Sequence, residues 1–263
     1  MTSSAQRTDP GRVRRENEDS LLAEPETGLF AVADGLGGHR GGATASRVAL
    51  EALASFMRSS GNDPTITWPW GFEPGVPFPA IRLKNAVHWA NRRILAEANL
   101  APELTGMGST LLALLITPGR GYFTGVGDSR LYLWRQGLLR QVSRDDSWAA
   151  SMLRAGATHE DVAASEMRHA LTRALGTDSD LVVEVEELPL EDGDLVLLCS
   201  DGLYGPTGDA GIARALAVPD VTLEATVADL VEAANAAGGP DNITAVLVRY
   251  EQDSPAGTDT AIP

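Results

Sequence analysis

The chain has 263 residues, a hydrophobic fraction of 43% and a formal charge of −15 at pH 7. That length suits one domain with a sizeable core, and the acidic balance argues against general affinity for nucleic-acid phosphates or anionic lipid. The single cysteine, Cys199, lies in an apolar run, which excludes a disulfide scaffold and reads as a reduced core thiol. No apolar stretch is long enough to span a bilayer, and no basic region followed by an apolar core opens the chain, so a cytoplasmic location is expected.

In chain order, the first apolar run is Phe30-Ala31-Val32-Ala33, which reads as a buried strand and leads into Asp34-Gly35. Residues 42–58 carry Val48, Leu50, Leu53, Phe56 and Met57 at helical spacing. Residues 61–80 break the order with Pro64, Pro69, Pro74, Pro77 and Pro79, among Trp68, Trp70, Phe72 and Phe78. So much proline prevents regular structure, and the aromatics predict a loop folded back onto the body rather than a disordered one. A second helix is expected over 81–100, with Ile81, Ala86, Trp89, Ile94 and Leu95 on one face.

Tyr122 to Gly127 and Leu131 to Trp134 read as strands flanking Asp128, and Gln136-Gly137 is a turn signal after the second. Asp192-Gly193, between Val182-Val183 and Leu195-Val196, predicts a hairpin. Leu195 to Ser200 is a strand running into Asp201-Gly202. A third helix is expected over 221–237, ended by Gly238-Gly239, with Asp241-Asn242 before a final strand, Ile243 to Val248. Mainly antiparallel strands with amphipathic helices outside them make a layered α/β (α+β) sandwich whose strand-end loops gather at one edge.

The arrangement that repeats is an apolar strand with an aspartate at its end. Carboxylates at the ends of core strands repel one another strongly in a low-dielectric setting. Hard divalent cations remove that cost, and aspartates, backbone carbonyls and water are the ligands they prefer.

These residues, taken in order, resemble the PPM family of metal-dependent serine/threonine phosphatases, the protein phosphatase 2C type, in its bacterial single-domain form. The motifs are Arg14-Arg15-Glu16-Asn17-Glu18-Asp19, Asp34-Gly35-Leu36-Gly37-Gly38-His39, Gly108-Ser109-Thr110, Gly127-Asp128-Ser129-Arg130, Leu171-Thr172-Arg173-Ala174-Leu175-Gly176, Ser200-Asp201-Gly202-Leu203 and Asp241-Asn242-Ile243-Thr244. They span about 8–250. The resemblance implies a four-layer α-β-β-α sandwich over 1–252 with two central, mainly antiparallel sheets, followed by a flexible tail over 253–263.

It also implies a site. Two core ions, Mn2+ or Mg2+, would be held by Asp34 bridging both, by Asp201 and Asp241 on one, and by the Gly35 carbonyl on the other. Glu18 and Asp19 would act largely through metal-bound waters, orienting the nucleophile. Arg14 would bind the substrate phosphoryl group, with Arg15 as its competitor, and Asp128 with Asp201 would form a third, weaker metal site. The other reading of Asp128 is a turn residue bonded to nearby amides. Glycine at 35 suits a carbonyl that approaches a metal where the chain turns freely.

Leu36 stands where animal members have an acidic histidine, so His39 is expected to serve a structural or helix-start role. His88, His159 and His169 lack metal spacing and read as solvated. Residues 147–176 resemble the family's flap, with Thr158-His159-Glu160-Asp161 capping a short helix. The chain departs from bacterial relatives at Asp145-Asp146-Ser147, where a histidine commonly precedes the serine, and at Ser165-Glu166-Met167, where a His-Pro pair is common. The implied function is hydrolysis of phosphoserine and phosphothreonine in proteins, opposing a bacterial serine/threonine kinase. Phosphorylated proteins, the kinase included, are the implied partners, with no nucleic acid or membrane, and the chain is expected to be a monomer. A metal-dependent phosphodiesterase and a non-enzymatic binding module are the alternatives.

Overall fold

Side-chain alternation along strands that are buried on both faces sets the layering. In the computed structural model, which describes residues 1–37, 40–61 and 68–252, one sheet runs β1 (Thr2–Asp9), β11 (Ile243–Tyr250), β10 (Leu195–Cys199), β7 (Arg130–Arg135) and β8 (Leu138–Gln141). The other runs β2 (Asp19–Glu24), β3 (Leu29–Leu36), β5 (Leu111–Thr117), β6 (Arg120–Val126) and β9 (Glu186–Pro189), with the short β4 (Gly108–Ser109) on β3. Every strand pair is antiparallel.

Phe30 and Val32 of β3, Leu112 and Leu114 of β5, Val196 and Leu198 of β10, and Val246 and Val248 of β11 meet between the sheets. Their neighbours point the other way. Ala31 and Ala33 pack with Leu53, Leu83 and Ile94 of α1 (Arg40–Ser60) and α2 (Phe78–Ala98). Leu197, Cys199, Ala245 and Leu247 pack with Ile212 of α5 (Asp201–Leu216) and with Val227, Leu230 and Val231 of α6 (Leu223–Ala236). The result is the expected four-layer α-β-β-α sandwich. An antiparallel sheet usually wets one face; covering both makes its strands read as unbroken apolar runs. Cys199 is a free, buried thiol in the helix-facing core, as expected.

Several elements carry weak sequence signals. Strand β1 buries only Ala5 among its residues and reads as polar, because it is an edge strand. Helix α5 holds Gly205, Pro206 and Gly208, and the chain leaves helical geometry at Gly208, with φ 62° and ψ 167°. Strands β2 and β5 and the short α3 (Trp148–Arg154) likewise lie outside the elements expected. The hairpin expected around Asp192-Gly193 does not form. Val182-Val183 is not a strand, β9 belongs to one sheet and β10 to the other, and the turn joins the two sheets. The Gln136-Gly137 hairpin does form, with φ of 51° and 80° at its two turn residues, the positive values that a two-residue turn between twisted strands requires.

The described part of the proline-rich segment folds back as its aromatics predict. Trp68 lies edge-on to Phe78 with centroids 5.5 Å apart and sits 6.3 Å from Phe56 of α1. Trp70 stacks on His88 at 5.4 Å, and its backbone N–H donates to Asn85 Oδ1 at 3.1 Å. Helix α2 therefore starts at Phe78, where Pro77 supplies the cap position and Pro79 tolerates the first turn. The reading of His88 as solvated is overturned: it is half-buried beneath Trp70, and burial holds its imidazole below the ordinary pKa. Gly38, His39, Pro64 and the segment 253–263 lie outside the described residues.

The layering yields a test. Leu198 is fully buried between the sheets, whereas Leu138 is 74% exposed on β8. Leu198→Ala is expected to lower the unfolding free energy by about 2–5 kcal/mol through lost burial and a cavity, and Leu138→Ala by less than about 0.5 kcal/mol. Urea denaturation of both variants checks the contrast.

Candidate metal centre

Strand register sets the first two carboxylates. Asp19 ends up directly opposite Asp34 across β2 and β3, a like-charge pairing that costs stability in any sheet. The backbone around Asp34 is pinned on both sides. Its N–H donates to Thr110 Oγ1 at 2.8 Å, while its carbonyl accepts from the Thr110 N–H at 2.8 Å and from Ser109 Oγ at 3.0 Å. This is what the Gly108-Ser109-Thr110 motif does. Gly35 follows in a crowded seat: a Cβ there would lie 2.1 Å from the Gly42 carbonyl oxygen and 2.8 Å from that of Glu18. Close backbone approach, rather than freedom of turning, demands glycine at 35.

The other sheet delivers Asp201 and Asp241. Asp201 is the first residue of α5, and Gly202 after it packs so tightly that a Cβ would sit 2.0 Å from the Asn242 carbonyl oxygen. Ser200 Oγ donates to Asp19 Oδ2 at 2.7 Å and accepts from the Thr244 N–H at 3.0 Å, which links the two sheets beneath the site. Asn242 holds the loop that carries Arg14. Its Nδ2 donates to the carbonyls of Pro10 and Glu16 at 3.0 and 2.9 Å, and its Oδ1 accepts from the Glu18 N–H at 2.8 Å.

Arg14, Glu18, Asp34, Gly35, Asp128, Asp201 and Asp241 line one cleft of about 920 Å³. Asp19 lies beneath it, 8% exposed, and Arg15 is exposed and does not line it. His169 and Leu171, from the segment resembling the flap, close one side. That position of His169 is not legible in its surroundings in the sequence. It remains exposed, as does His159.

Burial, then mutual repulsion, raises the carboxylate pKa values. Asp34 is pushed well above the ordinary range by burial, then by Asp19, Asp201, Asp128 and Asp241. Asp19 is pushed up to about 7 by burial, against hydrogen bonds from Thr244 and Ser200. Asp128 is pushed up to about 7 by burial, with Asp201 and Asp145 adding to it. Asp201 is raised by burial and by Asp241. Among the described residues only Asp241 of this set has an ion-pair partner: Arg14 Nη2 donates to its Oδ2 at 2.7 Å.

The donor set fits hard divalent cations. It is all oxygen, and the Asp19 Oδ1 and Asp201 Oδ1 atoms are buried without a hydrogen-bond partner among the described residues. Among those residues no group of three or more His, Cys, Asp or Glu side chains already stands in a geometry that could hold an ion. Asp241 accounts for part of that, since one of its oxygens accepts from Arg14 and the other from the Asn242 N–H. Each of these oxygens keeps a second lone pair, so Asp241 can still offer an ion one of them.

The departures expected around the flap are also placed. Thr158 and Asp161 form a full capping box on α4 (His159–Ala163), and Ser147 caps α3 by accepting from the Ala150 N–H at 3.2 Å. Asp145 accepts the fork of Arg130 at 2.7 and 3.1 Å on its Oδ2. Asp146 accepts from Arg173 Nε at 2.9 Å and from the Gly127 N–H at 3.2 Å.

Comparison with known proteins gives the family. The family model described as Protein phosphatase 2C matches residues 12–248. Over 245 residues the chain is 38% identical to serine/threonine protein phosphatase PstP of Mycobacterium tuberculosis, covering 92% of this chain but 44% of that protein, so the chain spans under half the length of this relative. It is 32% identical over 250 residues to serine/threonine phosphatase stp of Listeria innocua, covering 92% of this chain and 93% of that one. The catalytic domain of PstP solved in complex with two manganese ions superposes with a TM-score of 0.79 at 34% identity, covering 95% of this chain and 99% of that one. With the ordered motifs, the four-layer sandwich and a family match over most of its length, the chain belongs to the protein phosphatase 2C family.

Proposed function

We propose that the chain is a protein serine/threonine phosphatase that hydrolyses phosphoserine and phosphothreonine with two divalent cations, Mn2+ or Mg2+, and opposes a bacterial serine/threonine kinase. The observation that carries this reading is the convergence of Asp34, Asp201 and Asp241, from strand ends of both sheets, in one cleft with Arg14 at its edge. The two-manganese complex of PstP supports the metal dependence.

In this reading Asp34, Asp201, Asp241 and the Gly35 carbonyl would hold the two ions, with Asp34 contributing to both. Bound there, two cations supply a water of lowered pKa and neutralise charge that develops on the phosphoryl oxygens. Arg14 sits at the cleft edge, 53% exposed, on a loop fixed by Asn242, and its planar fork matches phosphoryl oxygens. Glu18 and Asp19 orient the attacking water, Asp19 from below through its bond to Ser200. Asp128 pairs with Asp201 as a third, weaker site. The catalytic domain takes in residues 1–252, acts as a monomer in the cytoplasm, and uses phosphorylated proteins as substrates. Among the described residues no helix is long and apolar enough to cross a membrane. Phosphopeptide turnover with and without Mn2+ tests the whole reading, and turnover of a bis-aryl phosphate ester in its place would indicate a phosphodiesterase.

Three further outcomes are expected. Asp241→Asn keeps the shape but removes a ligand charge, and should lower phosphopeptide turnover by at least about a hundredfold, comparable with loss of a strong transition-state contact. Near-normal turnover at saturating Mn2+ would count against the assignment. Arg14→Ala should cost about 1.5–3 kcal/mol in kcat/KM for a phosphopeptide, a charge-assisted contact, and Arg15→Ala less. The reverse ranking in steady-state kinetics would move the phosphate role to Arg15.

The third outcome concerns pH. Asp19 has its folded pKa raised from 3.8 to about 7, so the folded state holds the proton more tightly than the unfolded one. The resulting stability is fully present below the unfolded pKa and is lost as pH rises through the folded pKa. In EDTA the melting temperature should therefore fall between about pH 5 and about pH 8, and Asp19→Asn should flatten that fall. Saturating Mn2+ should raise the melting temperature most at the higher pH. Calorimetry at both pH values checks it, and a melting temperature in EDTA that rises with pH would contradict the buried-carboxylate account.

A further inference from the structure

Asp128 and Asp201 stand on different elements, the turn between β6 and β7 and the first residue of α5. One side chain crosses between these elements. Tyr204, three residues into α5, donates its hydroxyl to the backbone carbonyl of Asp128 at 3.1 Å. Its ring is covered by the guanidinium of Arg130, whose Cζ lies 3.7 Å from the ring centroid. Arg130 is itself fixed on β7. It forks onto Asp145 and donates through Nη1 to Tyr132 Oη at 3.0 Å, and the Tyr132 hydroxyl donates to Asp209 Oδ1 at 2.9 Å.

The geometry joins three separate stretches of chain at one tyrosine. Asp145 precedes the flap-like segment, Arg130 begins β7, Tyr204 opens α5 and Asp128 fills the turn. A guanidinium stacked on an aromatic face holds the ring in plane, and a fork on a carboxylate fixes the guanidinium. The hydroxyl can then reach only a narrow arc. The β7–β10 pairing, with Arg130 opposite Cys199, brings the turn near the start of α5, and the bond to the Asp128 carbonyl fixes the remaining distance and with it the separation of the two carboxylates.

We infer that Tyr204 is a positioning residue that sets the spacing of Asp128 and Asp201, and so the affinity of that pair for a divalent cation. The inference rests on the proposed metal-dependent reading. It concerns the weaker site: Asp201 is shared with the core site, but the Tyr204 hydroxyl bonds to Asp128, which the core site of Asp34, Asp201 and Asp241 does not use.

The test titrates the full chain, stripped with EDTA, with Mn2+ alone in a calorimeter. The weaker site is the one that disappears in Asp128→Asn. In Tyr204→Phe, which keeps the ring and its stacking but loses the hydroxyl, that site should weaken by about three- to tenfold, the range for one lost hydrogen bond. The tighter binding should stay within about twofold. Tyr132→Phe removes a hydroxyl from the same Arg130 but not the link to Asp128, and should leave the weaker site unchanged. Both tyrosine variants should keep a cooperative melting transition in EDTA.

An unchanged weaker site in Tyr204→Phe would overturn the inference. So would an equal loss in Tyr132→Phe, which would mean general loosening, or loss of cooperative melting in Tyr204→Phe, which would make the residue structural. Absence of any Asp128-dependent site would overturn it while leaving the core reading intact. Failure of all Mn2+ binding and of phosphopeptide turnover would instead bring down the proposed function itself.

Discussion

Mutual repulsion among carboxylates held at the end of two buried sheets is the constraint on which the rest of the site depends. Two unit charges 4 Å apart interact by about 1 kcal/mol in water and about 4 kcal/mol at the effective dielectric of a protein surface. Asp19, Asp34, Asp128 and Asp201 are raised in pKa mainly by burial and further by one another. A chain free to relax would splay them apart. The surrounding hydrogen bonds prevent that, since Thr110 and Ser109 grip the Asp34 backbone and Ser200 bridges Asp19 to β11. Tight glycine seats at 35 and 202 bring neighbouring backbones against the same strand ends. Rigidity is thus invested where the charges are least comfortable, the arrangement expected when a bound cation rather than a protein contact relieves the strain.

How much of this is legible in the sequence depends on the kind of signal. The central strands are legible because both faces are buried, so β3, β10 and β11 are largely apolar runs, with Asp34 and Asp201 where the first two finish and Asp241 just before the third begins. The helices α1, α2 and α6 are legible from their period. Strand β1 is not, because an edge strand with one buried residue looks like loop, and α5 is not, because Gly205, Pro206 and Gly208 interrupt it. The turn at Asp192-Gly193 shows the limit of local rules. A two-residue turn signal says that the chain reverses, but not whether the next strand joins the same sheet, and here it crosses to the other one. The cleft carboxylates are visible as residues, whereas Arg14 can be ranked above Arg15 only by spacing until Asn242 and Asp241 place it at the cleft. Tyr204 carries no signal, because its partners are distant in sequence.

The departure from the family pattern at Asp145-Asp146-Ser147, where a histidine commonly precedes the serine, becomes intelligible through the partners of its two acids. Asp145 takes the fork of Arg130, and Asp146 takes Arg173 and the Gly127 amide. Both acids therefore tie the base of the flap-like segment to the turn carrying Asp128. The segment itself is held by short caps at Ser147, Thr158 and Ser165 rather than by a buried core, since Val162 is the one residue of α3 and α4 that is buried. Its base is fixed by charge and its body by local hydrogen bonds, which is the profile of a region that opens at lower free energy than the sheets.

That division has a consequence for how binding and stability combine. An ion that binds the folded chain stabilises it by about 2.7 kcal/mol at a hundred times its Kd. The gain belongs to the folded state as a whole, but the contacts that supply it fall on the strand ends that repulsion weakens most, away from the inter-sheet core around Phe30, Leu112 and Leu198. A fold whose stability comes from the layers and whose chemistry comes from their ends can vary its flap and its exposed loop without touching either, and Phe72, 56% exposed beyond the Trp68 and Trp70 anchors, is where this chain leaves such freedom on view.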